Sequence, residues 1–171
     1  GRPAAAAPRP KLPVSAEARA WAEKELRGLD PKKKKIGVHL GPPRNQYHKI
    51  WDPERFGLLC AELAKAWPVE FVVVGDAGDE ESLAPPRRRP PRPPSWLGRA
   101  ILPRTFALIE RCDLFLSNDT GPGKAAGALG IPTATFMGLS DPVEVGIPWE
   151  REKHLNIRTG IACSPCATLG M

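Results

Sequence analysis

Hydrophobic positions along this chain fall into short runs separated by punctuation. Ile36-Gly-Val-His-Leu40, Phe71-Val-Val-Val74, Leu114-Phe-Leu-Ser117 and Thr133-Ala-Thr-Phe136 are compact apolar or β-branched runs. Continuous rather than alternating apolarity marks strands buried on both faces, as in a parallel sheet. Leu155-Asn-Ile157 is a weaker candidate for a last strand. Helical patterns lie between the runs. Phe56, Leu59, Cys60 and Leu63 recur at i, i+3, i+4 and i+7, so one face of that helix packs on the sheet. Asp52 caps it, and Pro53 takes its first position, where no N–H is needed. Ser15 caps an earlier helix that reaches about Leu26, with Gly28 as its stop. Two further helices are expected over Thr105 to Glu110 and Lys124 to Leu129, the second closed by Gly130 as its C′ residue. Strands alternating with helices predict an α/β domain, Rossmann-like and three-layered, with a mostly parallel sheet.

The most informative unit runs from Asp113 to Gly138: strand, tight loop, short helix, strand. Asn118 to Gly123 reads as a turn, because Asn, Asp and Gly tolerate positive φ and Pro fixes φ. The loop lies at the carboxyl end of a strand, where open parallel sheets bind ligands. A Gly-rich loop opening a helix aims free N–H groups and a positive dipole end outward, a seat for phosphate or diphosphate. Gly121-Pro-Gly-Lys124 imitates the end of a P-loop, G-x-x-x-x-G-K-[ST]. That motif fails, since residue 118 is Asn where its first glycine belongs and Ala125 has no magnesium-binding hydroxyl. A plain Gly-rich turn that serves only the fold competes for this stretch on its own.

Composition narrows the classes. The 171 residues suffice for a full core, and 42% hydrophobic content is ordinary for a globular chain. No run has the length of a membrane span, and the start does not read as a signal peptide. A net charge of +6 favours anionic partners such as a nucleotide, a phosphorylated glycan or an acidic membrane surface. Nucleic acid is not expected: there is one Tyr, and no basic helix interleaved with aromatics. Of four cysteines, Cys60 and Cys112 fall at packing positions. Cys163-Ser-Pro-Cys166 lacks the second pair that a structural zinc site requires. Residues 1–30 read as a Pro/Ala-rich linker and an N-terminal helix, and the start at Gly1 suggests a trimmed or partial chain. The domain proper is expected over 31–171. Lys32 to Lys35 reads as a solvated lead-in to the first strand. Residues 84–94 hold six prolines and four arginines, which forbid helix and central strand and predict an extended surface loop.

Asn118-Asp-Thr-Gly-Pro, followed by Ala126, Ala128-Leu-Gly130 and Pro132, resembles the signature of glycosyltransferase family 9, the lipopolysaccharide heptosyltransferases. The resemblance covers about residues 35 to 166. It implies the C-terminal, nucleotide-sugar-binding domain of a GT-B enzyme. The donor would be ADP-heptose and the acceptor a glycolipid of the lipopolysaccharide core, reached through an N-terminal domain that this sequence does not contain. It implies a metal-independent reaction without cofactor, at the cytoplasmic face of the membrane, with possible peripheral contact. Site residues carry over one by one. Lys49 of the Lys-x-Trp segment matches a lysine that contacts donor phosphates. Asp119, Thr120 and Gly121 form the donor loop, with Asp119 expected to accept its N–H groups. Lys124 stands where the family usually has histidine, and Ser140 where a threonine is usual. An acid after the second strand, Asp79, Glu80 or Glu81, meets the ribose, with Glu80 the representative choice. Arg44 and His48 share the Lys49 loop but match no family position. The catalytic base is implied to lie outside these residues. A nucleotide-binding module without chemistry, or another GT-B protein such as a sugar-nucleotide epimerase, remains as an alternative.

Overall fold

The computed structural model describes residues 8–41, 49–79, 94–162 and 164. Five strands form one sheet: β1 (Lys34–His39), β2 (Val69–Val73), β3 (Leu114–Asn118), β4 (Thr133–Phe136) and β5 (His154–Ile157). Their order is β2-β1-β3-β4-β5 and every pairing is parallel. The helices are α1 (Ala16–Glu25), α2 (Pro53–Ala66), α3 (Leu102–Glu110), α4 (Gly121–Ala128) and the short α5 (Pro142–Val145).

Strand alternation distributes the apolar runs to two faces. Phe71 and Val73 of β2, Ile36 and Val38 of β1, and Leu116 of β3 join Phe56, Leu59, Cys60 and Leu63 of α2 on one side. Val72, Val74 and Phe115 join α1, α3 and Ala126 of α4 on the other. The result is the expected three-layer, Rossmann-like α/β arrangement, with helices on both faces of a buried parallel sheet. α1 belongs to the same core, because Val14, Ala18, Ala22 and Leu26 are buried there and Arg19 binds Glu110 of α3 through two contacts of 2.7 and 2.8 Å. Its cap is the expected one: Ser15 Oγ accepts the Ala18 N–H at 3.1 Å. Asp52 likewise accepts the Glu54 N–H at 2.8 Å.

Two helix starts differ from the sequence expectation. α3 begins at Leu102 rather than Thr105, with Pro103 in its first turn, where a ring without an N–H fits. α4 begins at Gly121 rather than Lys124, so Gly-Pro-Gly is helix and not turn. Gly130 closes α4 at φ +82°, as expected of a C′ residue. Of the Pro/Arg-rich loop only Pro94 is described, and its carbonyl accepts the Val73 N–H at 3.4 Å on the edge of β2. Cys112 is buried and Cys60 half-buried. The Cys163–Cys166 pair lies outside the described residues.

The strand order fixes where a ligand meets the sheet. From β1 the chain crosses outward to β2 and then back past β1 to β3, so the crossovers leave β1 and β3 in opposite directions. Such a switch point opens a crevice at the carboxyl ends of the two strands. The loops after His39 and after Asn118 flank it.

Candidate functional site

Asn118 ties the crevice together. Its side-chain Nδ2 donates to the Leu40 carbonyl beyond β1, and its Oδ1 accepts the Trp51 N–H at 2.8 Å. One neutral amide satisfies a carbonyl and an N–H from two segments, which an ionised carboxylate cannot do alone. Trp51 stacks on Phe136 of β4 with centroids 4.1 Å apart, and Phe56 of α2 meets both rings edge-on at 4.9 Å. This apolar floor and the Asn118 bonds anchor the segment carrying Lys49.

Lys49 Nζ therefore reaches Asp119 Oδ2 at 3.3 Å, and Lys124 Nζ approaches the other oxygen, Oδ1, at 3.3 Å. The Ser140 hydroxyl donates to Oδ2 at 2.9 Å. Burial pushes the Asp119 carboxyl upward, yet Lys124, the Ser140 hydroxyl and Lys49 together hold it below the usual carboxylate range. Asp119 is thus an anion that aligns two ammonium groups. The two lysines and one carboxylate leave the cluster with one net positive charge, beside the N-terminus of α4.

Thr120 is the N-cap of α4, but its hydroxyl makes no cap bond. It faces His39 instead, with Oγ1 3.0 Å from Nδ1. His39 Nε2 lies 3.7 Å from Asp79 Oδ2, and Asp79 accepts the Asp76 N–H at 2.9 Å. Burial drives the His39 imidazole down to about 4, against the pull of the Asp76 carboxylate. The Asp79 carboxyl is raised by burial, and the Asp76 charge adds to that while the Asp76 N–H opposes it. Beside Thr120 and Lys124 a recess of about 10 Å³ also touches Thr135, Met137, Ile147 and Asn156. It holds one water or one phosphate oxygen, so the bulk of any larger ligand must lie over the open crevice.

Lys49, Asp119, Thr120, Gly121, Lys124 and Ser140 thus stand together at one edge of the sheet. Glu80, Glu81, Arg44 and His48 lie outside the described residues. Two details depart from the sequence reading. Asp119 takes its hydrogen bonds from side chains, and among the described residues no loop N–H donates to it. Asp79 turns inward under His39, its oxygens filling the space where a Cβ on Gly41 or Gly75 would sit, so it does not face the crevice as a ribose acceptor. His39 and Asn118 were not singled out by sequence. Polar residues closing apolar strands were the available signal. Among the described residues no cluster of three or more His, Cys, Asp or Glu has metal-binding geometry, and no helix is long and apolar enough to cross a membrane.

A description of glycosyltransferase family 9 (heptosyltransferase) matches residues 4–170. The chain belongs to this family. Among curated relatives, lipooligosaccharide heptosyltransferase 2 of Campylobacter jejuni is 22% identical over 146 residues, 84% of this chain and 42% of the relative. A family 9 glycosyltransferase from Veillonella parvula has the same fold at TM-score 0.79 and 23% identity, over 90% of this chain and 44% of that one. The Escherichia coli ADP-heptose lipopolysaccharide heptosyltransferase II gives TM-score 0.69 at 22% identity, over 93% of this chain and 52% of that one. At such identities the structural likeness speaks for fold alone. The chain spans about two-fifths to one-half the length of these family 9 proteins.

Proposed function

We propose that this chain is the donor-binding half of a heptosyltransferase of lipopolysaccharide core biosynthesis, and that its crevice holds the diphosphate of ADP-heptose. The observation that carries the reading is the convergence of Lys49 and Lys124 on Asp119 at the switch point, beside the N-terminus of α4. Family membership and the donor named for the Escherichia coli relative support the choice of ADP-heptose. The acceptor is a core glycolipid, presented by the rest of the enzyme at the cytoplasmic membrane face.

The chemistry follows from where charge appears. When the sugar carbon leaves its phosphate, negative charge builds on the diphosphate. Donors already aimed at that place stabilise the charge without reorganising. Lys49 and Lys124, held by Asp119, supply two such groups. The first-turn N–H groups of α4 and its dipole supply the rest. In this reading the chain's own cations serve the leaving group and no metal takes part. The test is calorimetric titration of the chain with ADP, UDP and GDP. Selective binding of ADP, lost in Lys49→Ala with the fold intact, supports the reading. Equal or absent binding of all three overturns it.

A further inference from the structure

Thr120 is placed to cap α4 and does not. Ser15, Asp52 and Asp141 each accept a backbone N–H from the first turn of their helices, at 3.1, 2.8 and 2.8 Å. Threonine serves the same purpose at this position. Here the hydroxyl is turned away and sits 3.0 Å from His39 Nδ1, in a buried contact. The consequence falls on the first turn of α4. Pro122 has no N–H, and the Lys124 N–H binds the Thr120 carbonyl at 3.2 Å. Among the described residues the N–H groups of Gly121 and Gly123 have no acceptor. Both point where an anion above the helix would sit.

We propose that His39 is a positioning residue: by binding Thr120 Oγ1 it keeps the threonine from capping α4, which leaves the Gly121 and Gly123 N–H groups for a donor phosphate. The inference rests on the donor-site reading for its ligand, while the state of α4 can be measured without any ligand. His39 suits the task because it is held from both sides. Asp79 Oδ2 lies 3.7 Å from Nε2, and Asp79 is itself fixed by the Asp76 N–H. The ring ends β1, so it bridges the loop after β2 and the loop after β3. An apolar side chain at 39 would release Thr120. The hydroxyl would then swing onto its own helix and occupy the Gly123 N–H, the usual N-cap bond.

The experiment compares His39→Leu and His39→Phe, which fill space without a hydrogen bond, with His39→Asn, whose amide reaches about where Nδ1 lies. Amide exchange by NMR, without ligand, should show the Gly123 N–H becoming protected in the apolar variants and remaining open in His39→Asn. ADP affinity should fall about tenfold in the apolar variants and little in His39→Asn. In a Thr120→Val background, where no cap can form, the apolar change at 39 should have no further effect. An unprotected Gly123 amide in the folded apolar variants overturns the inference, as do losses from His39 and Thr120 that simply multiply. If neither apolar variant folds, His39→Ala, which removes the bond without adding bulk, decides by the same reading: an unprotected Gly123 amide in it overturns the inference. Failure of the wild-type chain to bind ADP would reject the donor reading, with the Gly123 result still standing or falling separately.

Discussion

Two ammonium groups meet the two oxygens of one buried carboxylate, so removing either cation has a different meaning from removing a surface lysine. Lys49→Ala leaves Asp119 with Lys124 and Ser140, and the carboxylate remains satisfied. The fold should therefore survive while the proposed phosphate site loses one charge-assisted bond, roughly 1.5–3 kcal/mol, or about tenfold to a hundredfold in ADP affinity. Unchanged affinity by calorimetry in a folded variant would contradict this role. These residues were legible because a motif names them. His39 was not legible, since a histidine closing an apolar strand looks the same in sequence whether it packs or bridges. Its burial has a second consequence. The folded chain keeps His39 neutral down to about pH 4, while an unfolded histidine takes its proton near 6.5. Between those values the unfolded state binds more protons, so stability falls as pH drops through this window, by about 3 kcal/mol at most. Of the carboxyls that face the ring, Asp79 has its pKa raised and works in the opposite sense. His39→Asn should flatten the acid limb. Urea melts between about pH 7 and 4 that give the variant the wild-type slope would refute it.

At the scale of elements, the sequence revealed kinds better than edges. α2 was readable at its start and along its packing face, because Asp52, Pro53 and the apolar spacing all favour one outcome. α4 was not, since Gly-Pro-Gly is turn chemistry in isolation. Its first turn forms because a helix start needs neither the N–H that Pro lacks nor side chains at 121 and 123. The fit at 123 is close. A Cβ built there would lie 2.4 Å from Ser117 Oγ, a fully buried hydroxyl with no partner among the described residues. Gly123→Ala must therefore shift α4 or β3 and should cost about 1–3 kcal/mol, as overpacking does. Ser117→Ala removes the obstructing oxygen, and the next contact, with Ser117 Cβ, is an ordinary 3.5 Å. The double variant should regain most of the loss. Equal denaturation midpoints for Gly123→Ala and the double variant would show that Ser117 is not what α4 presses against.

For the whole molecule, the parallel sheet could be anticipated from its continuous apolar runs, but the strand order could not. The loops after β1 and β3 each carried an expected phosphate contact. The β2-β1-β3-β4-β5 order makes them neighbours across a switch point, which is a tertiary fact. That geometry allows a binding site to exist on one domain, and it also limits what the domain can do. Transfer requires an acceptor hydroxyl near attack distance and a base within hydrogen-bond reach of it. The carboxylates described near the crevice are already committed: Asp119 to two lysines and Ser140, Asp79 to the Asp76 N–H beneath His39, and Asp76 to the Gly78 and Asp79 N–H groups. The Lys124 side chain at the crevice is 39% exposed, so water weakens its electrostatic contacts. The chain by itself should bind ADP with a dissociation constant on the order of tens of micromolar or poorer, no more than about 6–7 kcal/mol. It should release no ADP from ADP-heptose in the presence of a truncated lipopolysaccharide acceptor. If the donor-half reading holds, a second domain closes the crevice and brings the base, so mixed with a matching N-terminal domain of a family 9 enzyme the same chain should gain both affinity and turnover. Turnover by the chain alone at ordinary enzyme rates would overturn this division of labour, and would mean that Asp119, Asp79 or Asp76 leaves its partners to act on the acceptor.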